Sequence, residues 1–529
     1  MNSSNNTPAI IKAVILYAIC VPLAVVIGYL IANPFDKSTF IYAGIFGGLL
    51  AFPLLVKWHQ PLLLFSWHTG MVIFFLDGRP DIWLAMVPIS LGISVMERTL
   101  NSERHFIRVP QITWPLIVLL AVVIVTAKMT GGLGLRSMGS NVYGGKKYVF
   151  LFISIASYFA LTARRIPKER VWLCVGLFFL APAINAVGDF ASMAPHWMQY
   201  LFIVFPTTFQ VPDEFQFGTT RLGGVGTAGL AIFLWMVARY GLRGIFLTGR
   251  PWRVFLLVMG VGLIFMGGFR GTLLIVMFVF ILKFFMEGLQ RTWLMPVVIM
   301  SGLVGMVAIV PLAHKLPFTV QRTLAFVPFL SLDAEAKMSA EGSSNWRLEM
   351  WEALLPQVPK HLLLGKGYAI QPEDFNEMMG QTALANGMAS KMDASQGSLS
   401  LAGDYHNGML SIILPFGIWG VLAFFWLLFA GVRVLYFNYK YGDPALDSIN
   451  SLLFVLYLFH MLNYLSCFGG LQMSSDIGLF FLGYLGLSIA LNNGVCRPAP
   501  APAPAQAPAG AKIHEQAPAR PSLQPAFPR

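Results

Sequence analysis

Apolar runs long enough to cross a lipid bilayer recur along almost the whole chain. A transmembrane helix needs about 20 predominantly apolar residues, because each residue adds only about 1.5 Å of rise. The pattern predicts an all-α polytopic membrane protein with about 12–14 transmembrane helices. The candidate runs lie near residues 10–32, 40–56, 61–76, 81–96, 112–127, 147–163, 171–188, 223–240, 253–268, 271–287, 293–311, 405–432, 446–466 and 473–491.

The composition agrees with a membrane protein and excludes several other classes. Hydrophobic residues make up 56% of the chain and charged residues only 11%, whereas soluble domains carry about 25% charged residues. A soluble globular enzyme, a disordered protein and a nucleic-acid-binding domain are therefore excluded. The net charge of +12 is interpreted as charge that sets the membrane topology.

The distribution of lysine and arginine predicts the orientation. If the N-terminus lies in the cytoplasm, the inner loops hold most of the basic residues, and the cluster ARRIPKER at 163–170 is the strongest inner anchor. Short cytoplasmic loops carry an excess of lysine and arginine in membrane proteins. We therefore expect a multi-pass membrane protein with both termini in the cytoplasm.

The predicted organisation has four parts. Residues 1–311 form an N-terminal transmembrane bundle, and residues 405–497 form the C-terminal transmembrane helices. Between them, 312–404 is a polar stretch that we expect to fold as a large periplasmic loop or cap, with an amphipathic helix at 345–358. The tail 498–529 is rich in alternating proline and alanine, and such a segment is disordered or extended.

Two arginines are expected at the outer membrane boundary. Arg270 lies in MGGFRGTLLIV and Arg221 in TTRLGGVGTAG, each beside glycines and next to the start of a helix. A guanidinium together with the free N–H groups of a helix N-terminus forms a binding site for an anion. Together the two arginines could hold a diphosphate through charge-assisted hydrogen bonds. The alternative interpretation is that each arginine only anchors a helix at the interface.

Two further residues near the loop carry possible chemistry. His406 lies in GDYHNGMLSII and is predicted in the first turn of the span after the loop, where the positive helix end disfavours an imidazolium. A neutral imidazole there is a candidate general base, although a histidine that merely orients the loop is the alternative. Arg347, in SSNWRLEMW, lies on the predicted loop helix, and without further context it is a surface arginine.

Motifs for cofactors and metals are missing from the sequence. There is no Walker A sequence, no HExxH, no DxD and no GxGxxG in a suitable strand–helix context. We therefore expect neither a cofactor nor a metal in the reaction.

The stretches RLEMWEALLPQVPKHLLLGKGYAI and DYHNGMLSIILPFGIWGVLAF resemble the signature region of the bacterial O-antigen ligase and O-antigen polymerase superfamily. FRGTLL and TRLGG resemble two earlier arginine motifs of the same family, so the resemblance covers roughly residues 215–435. It implies a lipid-linked glycan transferase that is inverting and independent of metal. The implied donor is an undecaprenyl-diphosphate-linked glycan, and the implied acceptor is a hydroxyl of the lipid A core or of another glycan.

The resemblance also implies residue roles. Arg221 and Arg270 would bind the donor diphosphate, Arg347 would contact donor or acceptor from the loop, and His406 would act as the base. The insert between Tyr368 and His406 is rich in Met, Ser and Gly and departs from common members of the family.

Three alternatives remain open at this point. A polymerase of O-antigen or exopolysaccharide would use the same donor with a second carrier-linked repeat as acceptor. A glycolipid transporter or flippase would show internal repeats and charges at mid-membrane, whereas here no repeat is evident and the charges lie beside one loop. A non-catalytic scaffold with a sugar-binding loop is the third.

Overall fold

The structure is a computed structural model of the full chain. The residues it describes are 14, 17–18, 20–25, 28–29, 32, 37–76, 79–103, 105–133, 144–206, 222–327, 329–370, 403, 405–466 and 476–498. About half of the predicted first span at 10–32 lies outside the described residues, as do Arg221, the insert at 371–402 and the tail from 499 onward.

The described part of the chain folds almost entirely into helices. In chain order they are α1 (Lys37–Ser66), α2 (Ile82–Leu100), α3 (Pro110–Thr130), α4 (Gly145–Thr162), α5 (Val171–Leu180), α6 (Ala186–Met193), α7 (Gly223–Phe246), α8 (Pro251–Gly267), α9 (Arg270–Met286), α10 (Leu294–Leu312), α11 (Phe318–Leu324), α12 (Ala334–Leu354), α13 (Leu410–Tyr441), α14 (Asp447–Leu465) and α15 (Gly483–Asn492). A π-helical segment, Ile477–Leu482, precedes α15.

This architecture confirms the predicted class, an all-α polytopic membrane protein. Among the described residues, eight helical segments are long and apolar enough to cross a membrane, and two shorter apolar helices accompany them. One prediction needs correction, because the runs at 40–56 and 61–76 are not separate spans. They merge in α1, which ends at Ser66.

Helix α7 lies at the centre of the packing. It contacts α5, α6, α8, α9 and α14, and two thirds of its most apolar window, 67%, is buried. It packs closely on α8, where a Cβ on Gly226 would lie only 3.0 Å from the Cα of Gly267. The glycines before Arg270 thus allow the close backbone approach that the sequence predicted. By contrast, only 6% of the corresponding windows of α1 and α10 is buried, so these two helices lie at the periphery.

Two long helices are interrupted at glycines with positive φ. In α7 the break is at Gly241 (φ 62°), and in α13 it is at Gly417 (φ 62°). Glycine adopts this conformation without the steric penalty that other residues meet. A break frees backbone groups that need new hydrogen-bond partners. In both helices another part of the chain supplies such partners, as described below.

Helices α11 and α12 form the ordered part of the predicted loop. Helix α11 packs against α8, α9 and α12, and Gln321 of α11 exchanges two hydrogen bonds of 2.8 Å with Asp333 at the start of α12. The helix predicted at 345–358 is therefore present but begins much earlier and ends at Leu354. Its early residues are too polar to show a helical hydrophobic period, so the sequence pattern misses them.

The two ends of the bundle can be told apart from helix directions. Helix α9 begins at Arg270, and near its other end Lys283 donates a 2.6 Å hydrogen bond to Ser451 close to the start of α14. Helix α14 then runs back, and Tyr464 near its end lies against Gly408. We call the end with Arg270 and Gly408 the loop end and the end with Lys283 and Ser451 the opposite end.

Candidate active site

One face of α12 links the predicted site residues to one another. Ala340, Arg347 and Trp351 follow a spacing of seven and four residues, which places them along one stripe of an α-helix. The stripe is about 16 Å long at 1.5 Å per residue. Each of its three members interacts with a different part of the candidate site, as the next paragraphs show.

Arg270 approaches the first part of this stripe. It is the first residue of α9 and is half-buried, and its Nη2 donates a 3.2 Å hydrogen bond to the carbonyl oxygen of Ala340. Gly268 has a φ of 66°, so the chain turns sharply between α8 and α9. The loop helix is thereby hydrogen-bonded to the arginine that the sequence predicted at the membrane boundary.

Arg347 lies one step further along the stripe and close to Arg270. It is half-buried, and its pKa is lowered by burial and then by the positive charge of Arg270. Both guanidinium groups nevertheless stay protonated, because the pKa of arginine lies far above neutral. Glu349 and Glu352, the nearest carboxylates along α12, are exposed. Two half-buried cations that repel each other favour an anion between them.

His406 is not in the first turn of a helix, and this corrects the prediction. Helix α13 begins at Leu410, and the side-chain oxygen of Asn407 accepts a 3.0 Å hydrogen bond from the Leu410 N–H. Asn407 therefore caps the start of this helix. His406 lies four residues before Leu410, so the helix dipole acts on its imidazole less directly than predicted. His406 itself is half-buried, with a φ of 44°.

The backbone of His406 is strained. A residue with a side chain in the left-handed region carries a penalty on the order of 1–3 kcal/mol and keeps it only where the surroundings impose that conformation. Such outliers concentrate at functional sites. The chain also packs closely two residues later, where a Cβ on Gly408 would lie 2.5 Å from the carbonyl oxygen of Tyr464.

Trp351 joins the stripe to the residue before His406. Its Nε1 donates a 2.9 Å hydrogen bond to the carbonyl oxygen of Tyr405. Around this bond, Met350 and Leu354 of α12 pack with Tyr405 and the first turns of α13 in a small apolar cluster. The loop helix thus contacts Arg270 at one point and the His406 segment at another.

The turn LLGKGY fills the break in α13. The backbone N–H groups of Lys366 and Gly367 donate to the carbonyl oxygens of Leu414 and Pro415 at 2.8 and 3.0 Å, and the Ile418 N–H donates to Leu362 at 2.7 Å. These bonds replace those that the helix loses at Gly417. The turn and the broken helix are therefore one interlocked unit that supports the His406 segment.

Glycines are needed at this contact. A Cβ on Gly365 (φ 80°) would lie 2.2 Å from the carbonyl oxygen of Pro415, and one on Gly367 (φ 68°) would lie 2.1 Å from Oγ1 of Thr130. Neither position has room for a side chain. Close packing on the α13 backbone at Gly365 and on the Thr130 side chain at Gly367 thus explains the GKG spacing of the signature.

Sequence reasoning missed the tyrosines beneath the site. Tyr405 is 1% exposed, and its hydroxyl has no hydrogen-bond partner among the described residues. Burial raises the pKa of Tyr405, and burial together with the neighbouring tyrosines raises that of Tyr368. The ammonium of Lys366 lies over the Tyr405 ring at 5.5 Å. The only signal in the sequence was the position of Tyr405 beside His406.

Asp189, on α6, was also missed. It is fully buried and accepts a 2.8 Å hydrogen bond from the N–H of Val225 in the first turn of α7. The sequence argument used this helix N-terminus together with Arg221 as an anion site. Because the Asp189 carboxylate already accepts a hydrogen bond from the Val225 N–H, this helix N-terminus is a weaker candidate for binding an external anion. Arg221 itself lies outside the described residues.

Side chains of metal-ligating type do not gather in this region. Within the described part of the chain, no group of three or more His, Cys, Asp or Glu is arranged to hold a metal ion. What the described residues bring together is Arg270, Arg347 and the His406 segment around one loop helix.

The fold and this loop-helix arrangement define a multi-pass helical membrane protein with a cationic site at one end of its bundle. A family model described as O-antigen ligase matches residues 254–425, about a third of the chain. This stretch is similar to the O-antigen ligase family, which confirms the resemblance found in the sequence. The matched stretch includes Arg270, Arg347 and His406 but not Arg221. Comparison with curated proteins gives no match.

Proposed function

We propose that this protein is an O-antigen ligase-like glycosyltransferase. It moves a glycan from an undecaprenyl-diphosphate carrier to a hydroxyl of the lipid A core, at the periplasmic face of the inner membrane. The family match supports a role in O-antigen assembly. The observation that carries the specific proposal is the single face of α12, which contacts Arg270, holds Arg347 beside it and hydrogen-bonds the residue before His406.

The arginines suit a diphosphate leaving group. As the bond between the sugar and the carrier breaks, negative charge accumulates on the bridging oxygen and leaves with the diphosphate. Arg270 and Arg347 are half-buried and repel each other, so a dianion between them relieves the repulsion and gains charge-assisted hydrogen bonds. Arg221 completes this group in the proposal, on the strength of the sequence motif alone.

His406 acts as the general base in this scheme. Its imidazole accepts the proton of the acceptor hydroxyl as the oxygen attacks the anomeric carbon, while the carrier diphosphate departs from the opposite face. One direct displacement inverts the anomeric configuration, and neither an acid for the leaving group nor a metal is needed, because the diphosphate is already a stable anion. The strained backbone of His406 is consistent with an imposed orientation of the imidazole.

A direct test uses the purified full-length protein with a carrier-linked glycan and two acceptors, lipid A core and a second carrier-linked repeat. We expect transfer to lipid A core, unchanged by a chelator and abolished by His406→Ala in a protein that still inserts and folds. Transfer only to the second repeat would identify a polymerase. Unchanged transfer by His406→Ala would remove His406 from the mechanism, and movement of intact glycolipid across the membrane without transfer would identify a transporter.

A further inference from the structure

A cavity at the opposite end of the bundle is not used by the proposed reaction. Its volume is about 200 Å³, and it lies between the turn after α4, the start of α5, the start of α14 and the end of α15. The ARRIPKER cluster, which the sequence singled out as a topology anchor, supplies two cations to its lining, Arg165 and Lys168. The cluster thus borders a concave space as well as a flat membrane surface.

The cavity is positive at its rim. Arg165 and Lys168 are both exposed, and the one carboxylate in the lining belongs to Asp443. Asp443 is already engaged on both oxygens, since it accepts a 3.0 Å hydrogen bond from the Ala445 N–H and pairs with Lys168 at 3.1 Å.

The interior of the cavity is mostly apolar, with Asn492 and Cys496 as its polar members. Ile166, Val171, Leu446 and Leu491 line it together with the ring of Trp172. The guanidinium of Arg239 lies over the ring of this tryptophan at 3.8 Å and helps to fix its position. A cationic rim above an apolar interior matches a molecule with an anionic head and an aliphatic chain.

The backbone around the rim is fixed. The N–H of Ile166 donates a 3.0 Å hydrogen bond to the carbonyl oxygen of Ala490 in α15, and Gln60 of α1 donates a 3.0 Å hydrogen bond to the carbonyl oxygen of Arg164. The turn that carries Arg165 is therefore tied to two helices. A topology anchor needs only positive charge, whereas this turn is held in one place beside a cavity.

We propose that this cavity binds an anionic phospholipid, with the phosphate at Arg165 and Lys168 and part of an acyl chain against Trp172 and Leu446. Basic pockets between transmembrane helices on the cytoplasmic side bind such head groups. On the predicted topology the lipid belongs to the cytoplasmic leaflet. The site is separate from the glycan-transfer site and does not depend on the proposed function.

The test titrates phosphatidylglycerol into the purified full-length protein in a phosphatidylcholine background and counts bound lipid by native mass spectrometry. For the double variant Arg165→Gln/Lys168→Gln we expect at least tenfold weaker binding. The matched control is Arg98→Gln/Arg433→Gln, which removes two exposed cations near the same end of the bundle that do not line the cavity. We expect the control to stay within twofold of the unmodified protein.

Two further variants distinguish the contribution of the cavity to lipid binding from that of the positive charge. Ala445→Trp places a ring in the cavity and keeps every charge, so binding should again weaken at least tenfold. Asp443→Asn removes the carboxylate that competes for Lys168 and should tighten binding two- to threefold. Thermal melting of each variant shows whether it is folded. If Ala445→Trp does not fold, Asp443→Asn still tests the site, because tighter lipid binding cannot result from unfolding.

Three results would overturn the proposal. Equal losses in the two double variants would show a diffuse surface charge effect, and unchanged binding by a folded Ala445→Trp variant would show that the cavity is not occupied. Equal affinity for soluble glycerol phosphate would assign the site to a free phosphate compound and not to a lipid.

Discussion

The two ends of the bundle use positive charge in different ways. At the opposite end, Lys283 is fully buried and pairs with Glu287 at 2.8 Å, and it also donates to Ser451. At the loop end, Arg270 donates to a backbone carbonyl and Arg347 has Arg270 as its charged neighbour. A buried cation with a carboxylate is satisfied, whereas two adjacent cations suit a ligand that brings negative charge. The comparison sets a structural cluster around Lys283 at the opposite end against the proposed diphosphate site at the loop end.

Glu287 shows what the structural cluster does. The break in α7 at Gly241 leaves backbone groups without helical partners, and the carboxylate of Glu287 accepts a 2.6 Å hydrogen bond from the Arg243 N–H just after the break. The same carboxylate group pairs with Lys283. It therefore joins α7 to α9 and compensates the interruption. At the loop end, backbone groups of the turn LLGKGY provide the hydrogen bonds that compensate the break in α13.

The largest effect on activity is expected for His406→Ala. Loss of a general base lowers kcat/KM by roughly 10²- to 10⁴-fold, while the bundle should fold normally because the side chain is only half-buried. The measurement is glycan transfer by purified protein in detergent or nanodiscs. His361→Ala, in the same ordered loop, is the matched control and should keep near-normal activity. Equal losses in both variants would attribute the effect to the loop in general.

The strongest test of the opposite end is Glu287→Gln. This change leaves the buried ammonium of Lys283 without its carboxylate, and breaking such a pair destabilises a protein by about 3–5 kcal/mol. We expect a clearly lower melting temperature and normal transfer activity per folded molecule. A large loss of activity at a temperature where the variant is fully folded would contradict the assignment of this cluster to structure.

Substitution of the loop-end arginines should have a smaller effect, and it should lower activity and not stability. For Arg347→Gln and Arg270→Gln we expect kcat/KM to fall about 10- to 100-fold, because each loses a charge-assisted hydrogen bond worth about 1.5–3 kcal/mol, and stability should be kept or increased as the mutual repulsion ends. Glu349→Gln and Glu352→Gln, on the exposed side of α12, are controls. A drop in melting temperature with unchanged kcat/KM would make the arginines structural.

The smallest effect is expected for Trp351→Phe. Phenylalanine keeps the ring but cannot donate to the carbonyl oxygen of Tyr405, and a neutral hydrogen bond is worth about 1 kcal/mol, which is roughly fivefold in rate. As a positioning residue for His406, Trp351 should affect kcat and leave KM nearly unchanged. Trp351→His, which retains an N–H donor, should recover part of the rate. An effect on KM alone would contradict this role.

Local sequence features predicted the fold class and supplied the candidate site residues. The apolar runs required membrane spans, and the arginine and histidine motifs beside the loop singled out Arg270, Arg347 and His406. The predicted break between two spans near residue 57 was wrong for a specific reason. The polar run KWHQ at 57–60 looks like a loop, but the ring of His59 hydrogen-bonds Ser90 at 2.8 Å and Gln60 bonds the carbonyl oxygen of Arg164. Partners distant in sequence allow polar residues to remain inside α1.

The sequence by itself determined that the chain must lie in a membrane, because nothing else accommodates so many long apolar runs, and it indicated which charged side chains are unusual. Only the tertiary structure decided which of these side chains meet. Arg270 and the residue before His406 contact α12 because its helical repeat aligns residues 340, 347 and 351 on one face, and because α11 and the break in α13 hold that helix in place. Contacts between distant segments depend on packing, which no local pattern encodes.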